Sequence, residues 1–303
     1  MKKSMLFLAV LMITGCLKAQ LPYERDWRDN VEKVRVISYN IFNGFHWGKD
    51  TERRARMVEW VKKQDPEIMA LEELCNITQE KLETLAKEWG HPYAMIVKEG
   101  GYPVGVTSKK PIVLKKKMLE NCGHGLLHVQ TYGLDVLVTH LNPGSTTKRT
   151  VEAQTIVNYI KEQQLENFML MGDMNSHSPF DAEYMEKHAY KLIEKYGGKN
   201  STNLLNGAFD YSPISHFLAY PMIDVCRLYT LPSQRTTFPT PILYGQSKNA
   251  DIRERINERI DFIFTSPELA KKVVDAHIWN GEDTYFLSDH FPVAVDFVFE
   301  KKK

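Results

Sequence analysis

Six short stretches of this sequence end or interrupt an apolar run with side chains able to bind an ion or move a proton. Val36-Ile37 leads into Ser38, Tyr39 and Asn40, and Met69-Ala70-Leu71 into Glu72 and Glu73. Val136-Leu137-Val138 ends at Thr139-His140, and Met169-Leu170-Met171 at Gly172-Asp173-Met174-Asn175. Arg259-Ile260-Asp261-Phe262-Ile263 sets an acid inside an apolar run, and Leu287-Ser288-Asp289-His290-Phe291-Pro292 sets two ionisable groups before another. Taken singly, each has an ordinary explanation. An Asp-x-Asn is a turn or helix cap, a lone His at a strand end is a hydrogen-bonded structural residue, and Glu72-Glu73 is a solvated loop start. Polar groups that interrupt buried strands cost roughly 2 kcal/mol or more each unless paired. Their repetition, always in metal-ligand or acid-base residue types, predicts one shared site.

Such a site needs strands to carry it. Apolar runs alternate with helical periodicity: a strand through Val36 and Ile37, a helix over about residues 51–63, and strands over 68–71, 136–141 and 168–171. A helix bearing Ala153, Ile156, Val157 and Ile160 lies between the last two. This predicts an α/β protein of layered sheets and helices. No repeat, low-complexity linker or Pro/Gly-rich hinge divides it. Residues 197–257, rich in Asn, Ser, Pro, Thr and Tyr, read as long loops with short strands.

The chain has 303 residues, 43% hydrophobic and 25% charged, enough to bury a sizeable core. Residues 1–19 differ: Lys2 and Lys3 precede an apolar run too short to cross a bilayer, the pattern of a signal peptide. Its end, Ile13-Thr14-Gly15-Cys16, resembles the bacterial lipobox. Cleavage before Cys16 would leave a lipid-tethered periplasmic or cell-surface protein; cleavage after Ala19 would leave a secreted one. Residues 20–32 then form a linker and 33–300 the folded domain. Removing residues 1–15 leaves 37 basic and 38 acidic side chains, without the basic excess that non-specific nucleic-acid binding draws on. The clusters Arg53, Arg54 and Arg56, Lys109 and Lys110, and Lys115 to Lys117 read as solvated faces. Cys75, Cys122 and Cys226 match no zinc spacing and are expected as buried small residues or one optional bridge.

The ordered series of motifs resembles the endonuclease/exonuclease/phosphatase superfamily, which includes pancreatic-type deoxyribonuclease, abasic-site endonucleases, inositol-phosphate phosphatases and neutral sphingomyelinases. Asn40 matches the first-strand asparagine and Leu71-Glu72-Glu73 the family's Leu-Gln-Glu. Gly105-Val106-Thr107-Ser108 with Lys110-Pro111-Ile112 matches a central strand-turn-strand. Thr139-His140-Leu141, Gly172-Asp173-Met174-Asn175, Arg259-Ile260-Asp261 and Ser288-Asp289-His290-Phe291-Pro292 complete the set. The similarity covers about residues 33–300 and implies a four-layer αββα sandwich with two mixed β-sheets packed face to face. The chain departs from the pattern at Glu72, where the family has Gln. Side chains alternate along a strand, so Glu72 and Glu73 are not both expected at one ion, and register favours Glu73.

By this resemblance the protein is a phosphoester hydrolase using Mg²⁺, with Mn²⁺ or Ca²⁺ as substitutes, held by Glu73 with Asn40 beside it and Asp289 as a third ligand. Asp173 orients and deprotonates the attacking water, and Asn175 holds that water and a phosphate oxygen. His290 contacts the phosphate with its ring held by Asp261, and either Asp173 or His290 is the base. His140 stabilises transition-state charge or protonates the leaving oxygen, paired with Glu99 as in the deoxyribonuclease branch. Arg259, with Arg253 and Arg255, is expected to supply a basic pocket for a sugar- or inositol-type phosphate. Nucleic acid and a lipid phosphodiester are the competing substrates, and a monomer is expected. A binding protein that kept the fold without activity is the alternative class. A zinc hydrolase fits less well, because most candidates are oxygen donors.

Overall fold

The computed structural model describes residues 30–188, 203–244 and 256–301. The leader with Cys16, most of the linker, Arg253 and Arg255 lie outside the described residues. One compact unit spans Lys33–Phe299. In chain order the strands are β1 (Val31–Asn40), β2 (Ile68–Glu72), β3 (Tyr93–Ile96), β4 (Gly105–Ser108), β5 (Val113–Met118), β6 (Leu126–Thr131) and β7 (Leu134–Thr139). They continue as β8 (Phe168–Asp173), β9 (Leu204–Leu205), β10 (Ala208–Phe209), β11 (Ile223–Asp224), β12 (Asp261–Thr265), β13 (Val273–Ile278) and β14 (Val293–Glu300).

Twelve of these form two six-stranded sheets, ordered β13-β14-β1-β2-β4-β3 and β11-β12-β8-β7-β6-β5. Both are mixed. β1 and β2 run parallel, as do β7 and β8, while β2 is antiparallel to β4 and β12 to β8. Parallel pairing sends two strands out at the same end, so each sheet delivers two strand exits to one edge.

Alternation along the strands builds the layers. Val36, Ile68, Ala70, Val136, Val138, Met169, Met171 and Ile263 meet in the core between the sheets. Their neighbours Ile37, Tyr39, Met69 and Leu71 pack outward on the helices Thr51–Gln64 and Gln79–Glu88. Leu137, Leu170, Phe262 and Phe264 pack outward on the helices Thr146–Glu162 and Ser212–Ala219. The fold is the expected four-layer sandwich. Among the described residues, no helix is long and apolar enough to cross a membrane.

Two expectations change, and of the two alternatives for the cysteines the buried one holds. The polar stretch 197–257 contains the helices Ser212–Ala219 and Val225–Tyr229 as well as short strands. Pro213 in the first turn and the buried pair Ile214 and Phe217 make a helical stripe that the polar composition hides. Arg53 is not on a solvated face: it is 2% exposed. Cys75, Cys122 and Cys226 are free and buried, so no bridge forms.

Candidate active site

The alternation that builds the core also aims the polar residues. Two residues beyond Ser38 on the inward face of β1 comes Asn40; two beyond Ala70 on β2 comes Glu72; two beyond Met171 on β8 comes Asp173. His140 follows Val138 by the same step, and Asp261 precedes Ile263 by it. Asp261 and Asp173 are direct cross-strand partners. Gly172 permits this convergence. Its φ is +136°, and a Cβ there would lie 1.9 Å from the Thr139 carbonyl oxygen of the neighbouring strand.

Asp173 sits at the centre, 1% exposed. Its Oδ2 accepts from Asn40 Nδ2 at 3.1 Å and its Oδ1 from the Asn175 backbone N–H at 2.9 Å. The Nε2 atoms of His140 and His290 lie 3.4 and 3.8 Å from Oδ2. The His290 Nδ1–H donates to Asp261 Oδ2 at 2.8 Å. Asn175 Nδ2 donates to the Leu141 carbonyl at 3.1 Å, bridging the exits of β7 and β8. Glu73, Asp173, Asn175, Asp289, His140 and His290 all line one cleft.

Electrostatics separate the two histidines. Burial works against charge on His290, but Asp261, Asp173 and Asp289 outweigh it and hold the imidazolium well above its ordinary value. Burial pushes His140 down to about 4, so its ring is neutral at neutral pH. The acids crowd one another. Burial, with Glu73 and Asp173 repelling, raises Asp289 to about 7 against the pull of His290. Burial raises Asp261 to about 6, with repulsion from Asp173 adding to it and His290 opposing.

This donor set fits a hard divalent cation: the oxygen donors Glu73, Asp173, Asp289, Asn43 and Asn175 outnumber the imidazoles, the carboxylates repel one another, and none of the three described cysteines lines the cleft. Ligand atoms of Asp173, Asp261 and His290 also lie within 4.8 Å of one another. Because His290 Nδ1 and Asp261 are already joined by a hydrogen bond, Glu73 with Asp289 offers the freer oxygens.

Glu72 is fully buried, with Oε1 accepting from Ser38 Oγ at 3.1 Å and Oε2 without a partner among the described residues. Burial, with Asp261 and Asp173 nearby, holds its carboxyl well above the usual range, so it is a neutral acid shaped like the glutamine the resemblance led us to expect. Burial of this group opposes folding only where the unfolded chain would ionise it. Glu72→Gln is therefore expected to raise unfolding stability by about 2 kcal/mol at neutral pH. The gain should vanish as pH falls below about 4, where the unfolded carboxyl is protonated as well. Urea melts at the two pH values check both the sign and the window.

Two buried arginines hold the strand exits. Arg53 donates to the carbonyls of Ile41, Phe42 and Leu287, tying the exit of β1 to the segment before Asp289. Arg149 donates to Ser176 Oγ, the Asn142 carbonyl and Asn203 Oδ1, each at 2.7 Å, tying the loops after β7 and β8 together. Arg149→Met leaves the buried Ser176 hydroxyl and the half-buried Asn142 and Asn203 oxygens without this donor, and a loss of about 3 kcal/mol in unfolding free energy is expected in denaturant melts.

Not every expected residue reaches the cleft surface. Asn40 is wholly buried: its Nδ2 supports Asp173 and its Oδ1 accepts from the Phe42 backbone N–H at 3.0 Å. Glu99 does not pair with His140; it accepts from the Gln79 backbone N–H at the start of a helix. The ring against His140 is His124, with centroids 4.4 Å apart. Arg259 does not face the catalytic cleft. Its guanidinium is buried between Asp181 and Asp224, 2.7 and 2.8 Å away, and its charge is matched there. Sequence reasoning also missed Asn43, whose backbone N–H donates to Glu73 Oε2 at 2.7 Å, because a main-chain donor in a turn has no residue-type signature.

The Endonuclease/Exonuclease/phosphatase family model matches residues 37–290. The chain belongs to this family. Solved structures share this fold. An AP endonuclease from Archaeoglobus fulgidus superposes with a TM-score of 0.67 at 19% identity, over 87% of this chain and 99% of that one. The 3' phosphatase NExo from Neisseria, bound to product DNA hairpin, gives 0.66 at 16%, over 87% and 99%. The 3'-5' exonuclease NExo from Neisseria meningitidis gives 0.63 at 16%, with the same coverage. Comparison with curated protein sequences gives no match. As a member of the endonuclease/exonuclease/phosphatase family, this chain is a phosphoesterase.

Proposed function

We propose that the protein is an exported phosphoesterase that uses Mg²⁺, with Mn²⁺ or Ca²⁺ as substitutes, held by Glu73 and Asp289 at the cleft with Asn40 behind them. The crowding of Glu73, Asp173 and Asp289 in one cleft beside the His290 imidazolium carries this reading. Bound there, a divalent cation supplies positive charge against the phosphoryl oxygens and acidifies water.

The chain's own groups do the rest. Asp173, fixed by Asn40 and the Asn175 backbone, orients the attacking water and accepts its proton at Oδ2. Asn175, tied to Leu141, positions a phosphoryl oxygen. His290, kept charged by Asp261, faces developing negative charge. His140, being neutral, serves as an N–H donor to the transition state rather than as a strong acid. We expect wild-type protein to hydrolyse bis(nitrophenyl) phosphate with Mg²⁺, and chelation by EDTA to lower the rate by ~10³-fold or more, restored by added Mg²⁺ or Mn²⁺. Full activity in chelator contradicts the metal assignment.

A second reading, nucleic acid as substrate, is favoured by the DNA hairpin bound to the Neisseria relative. The near-balance of charge counts against it. Export rests on the leader. Cys16→Ser is expected to move the protein from the membrane fraction to the soluble fraction, and unchanged partition contradicts lipid tethering.

A further inference from the structure

Just after β1 the chain enters Phe42–Gly48, seven residues whose φ lies between +52° and +84°, a left-handed helical turn. Gly and Asn tolerate this region, but a bulky L-residue there crowds its Cβ against the following carbonyl. Phe42, Phe45, His46 and Trp47 all adopt it. His46 and Trp47 are exposed, so core burial does not force them into it. Elsewhere among the described residues, left-handed backbone occurs as single residues or pairs. Consecutive strained residues persist only where the surroundings hold them, and such strain clusters at functional sites.

The turn is fastened along its length. Arg53 donates to the carbonyls of Ile41 and Phe42, and its guanidinium lies 5.3 and 5.2 Å from the ring centroids of Phe42 and Phe45. Phe45 is buried in the core beneath the first sheet. Gly44 passes so close to the chain after β2 that a Cβ would lie 2.1 Å from the Cys75 carbonyl oxygen. Asn76 Nδ2 donates to the Trp47 carbonyl, and the Asp50 backbone N–H to the Phe45 carbonyl, each at 3.0 Å. What the turn delivers to the cleft is the Asn43 backbone N–H, which donates to Glu73 Oε2 at 2.7 Å. Glu73 needs such a partner, because it repels both Asp173 and Asp289 across the cleft. Without a fixed donor, a half-buried glutamate turns away from like charges toward water.

We propose that the left-handed turn is a positioning device for Glu73: by fixing the Asn43 N–H, it aims the carboxylate into the cleft before a cation arrives. The inference rests on the cation reading above. The backbone of Asn43 carries the effect, so what position 43 requires is a residue able to sit at φ +52°. A chain that relaxes out of the turn loses the donor, and cation binding must then restore the turn against its strain.

Asn43→Gly, Asn43→Ala and Asn43→Val all remove the side-chain amide and differ in their tolerance for the left-handed region. The readout is the Mn²⁺ dissociation constant by electron paramagnetic resonance, taken where urea melts show each variant folded. Asn43→Gly is expected to stay within ~2-fold of wild type, while Asn43→Ala and Asn43→Val weaken binding by ~10-fold or more. Asn43→Ala is the milder change and keeps the comparison open if Asn43→Val does not fold. A second measurement needs no cation: in metal-free protein, Glu73→Ala should speed deuterium exchange over residues 42–48. Equal Mn²⁺ affinity in Asn43→Gly and Asn43→Ala, or exchange unmoved by Glu73→Ala, overturns the positioning role. Binding lost in Asn43→Gly as well would make the side-chain amide the active group and overturns it too. The two levels separate in the wild type: if it takes up no Mn²⁺, the cation reading fails first; if it binds Mn²⁺ and position 43 makes no difference, only the role of the turn is wrong.

Discussion

Asp173→Asn is expected to lower turnover of bis(nitrophenyl) phosphate by ~10³-fold or more while leaving the fold at least as stable as wild type. The loss follows from position. Asp173 is held by Asn40 and the Asn175 backbone with the two histidine Nε2 atoms 3.4 and 3.8 Å away, whereas Asp261, the carboxylate hydrogen-bonded to His290, is committed to its Nδ1–H. Asparagine keeps an oxygen for one of these donors but cannot take a proton from water. The stability follows from charge. Burial and the nearby Glu73 raise the pKa of Asp173, with His290 opposing, so ionised Asp173 is a cost to folding that the amide removes. A kinetic assay paired with thermal melts tests both halves. Loss of activity together with loss of stability would indicate a structural role instead.

The second large effect concerns Asp261 and His290 as a unit. Asp261→Asn and His290→Asn are each expected to reduce kcat by ~10²- to 10³-fold. The double variant should be no worse than His290→Asn alone, because Asp261 acts through the ring it holds. A pH profile separates this from simple damage. In wild type, Asp261, Asp173 and Asp289 keep the imidazolium charged across neutrality. Removing the Asp261 charge lowers the His290 pKa toward its ordinary value, so activity of Asp261→Asn should fall as pH rises through neutrality while wild type holds. Multiplicative losses in the double variant, or parallel pH profiles, would separate the two residues.

Much of this site was legible because its members sit where strand periodicity meets a change of residue type. A run such as Met169-Leu170-Met171 announces a buried strand, and period two then aims Asp173 inward without any knowledge of its partners. The same rule separates Glu72 from Glu73, although the neutral state of Glu72 depends on how deeply the second sheet encloses it. What stayed hidden was long-range. His124 reaches His140 from the loop after β5, and Glu258 meets His177 from 81 residues away. Arg259 was misread because a basic residue beside an active-site acid looks like a substrate contact, and only the fold brings Asp181 and Asp224 onto it. Arg53 was misread as a surface charge because nothing local shows that three carbonyls wait for it.

Whether oxygens from separate strand exits jointly hold one ion can be measured without any substrate. Electron paramagnetic resonance of added Mn²⁺ counts bound ions directly. Wild-type protein should take up Mn²⁺ at one site that Mg²⁺ displaces, and both Glu73→Gln and Asp289→Asn should abolish that uptake. Equal Mn²⁺ occupancy in wild type and both variants would contradict the shared cation site on which the catalytic assignment depends.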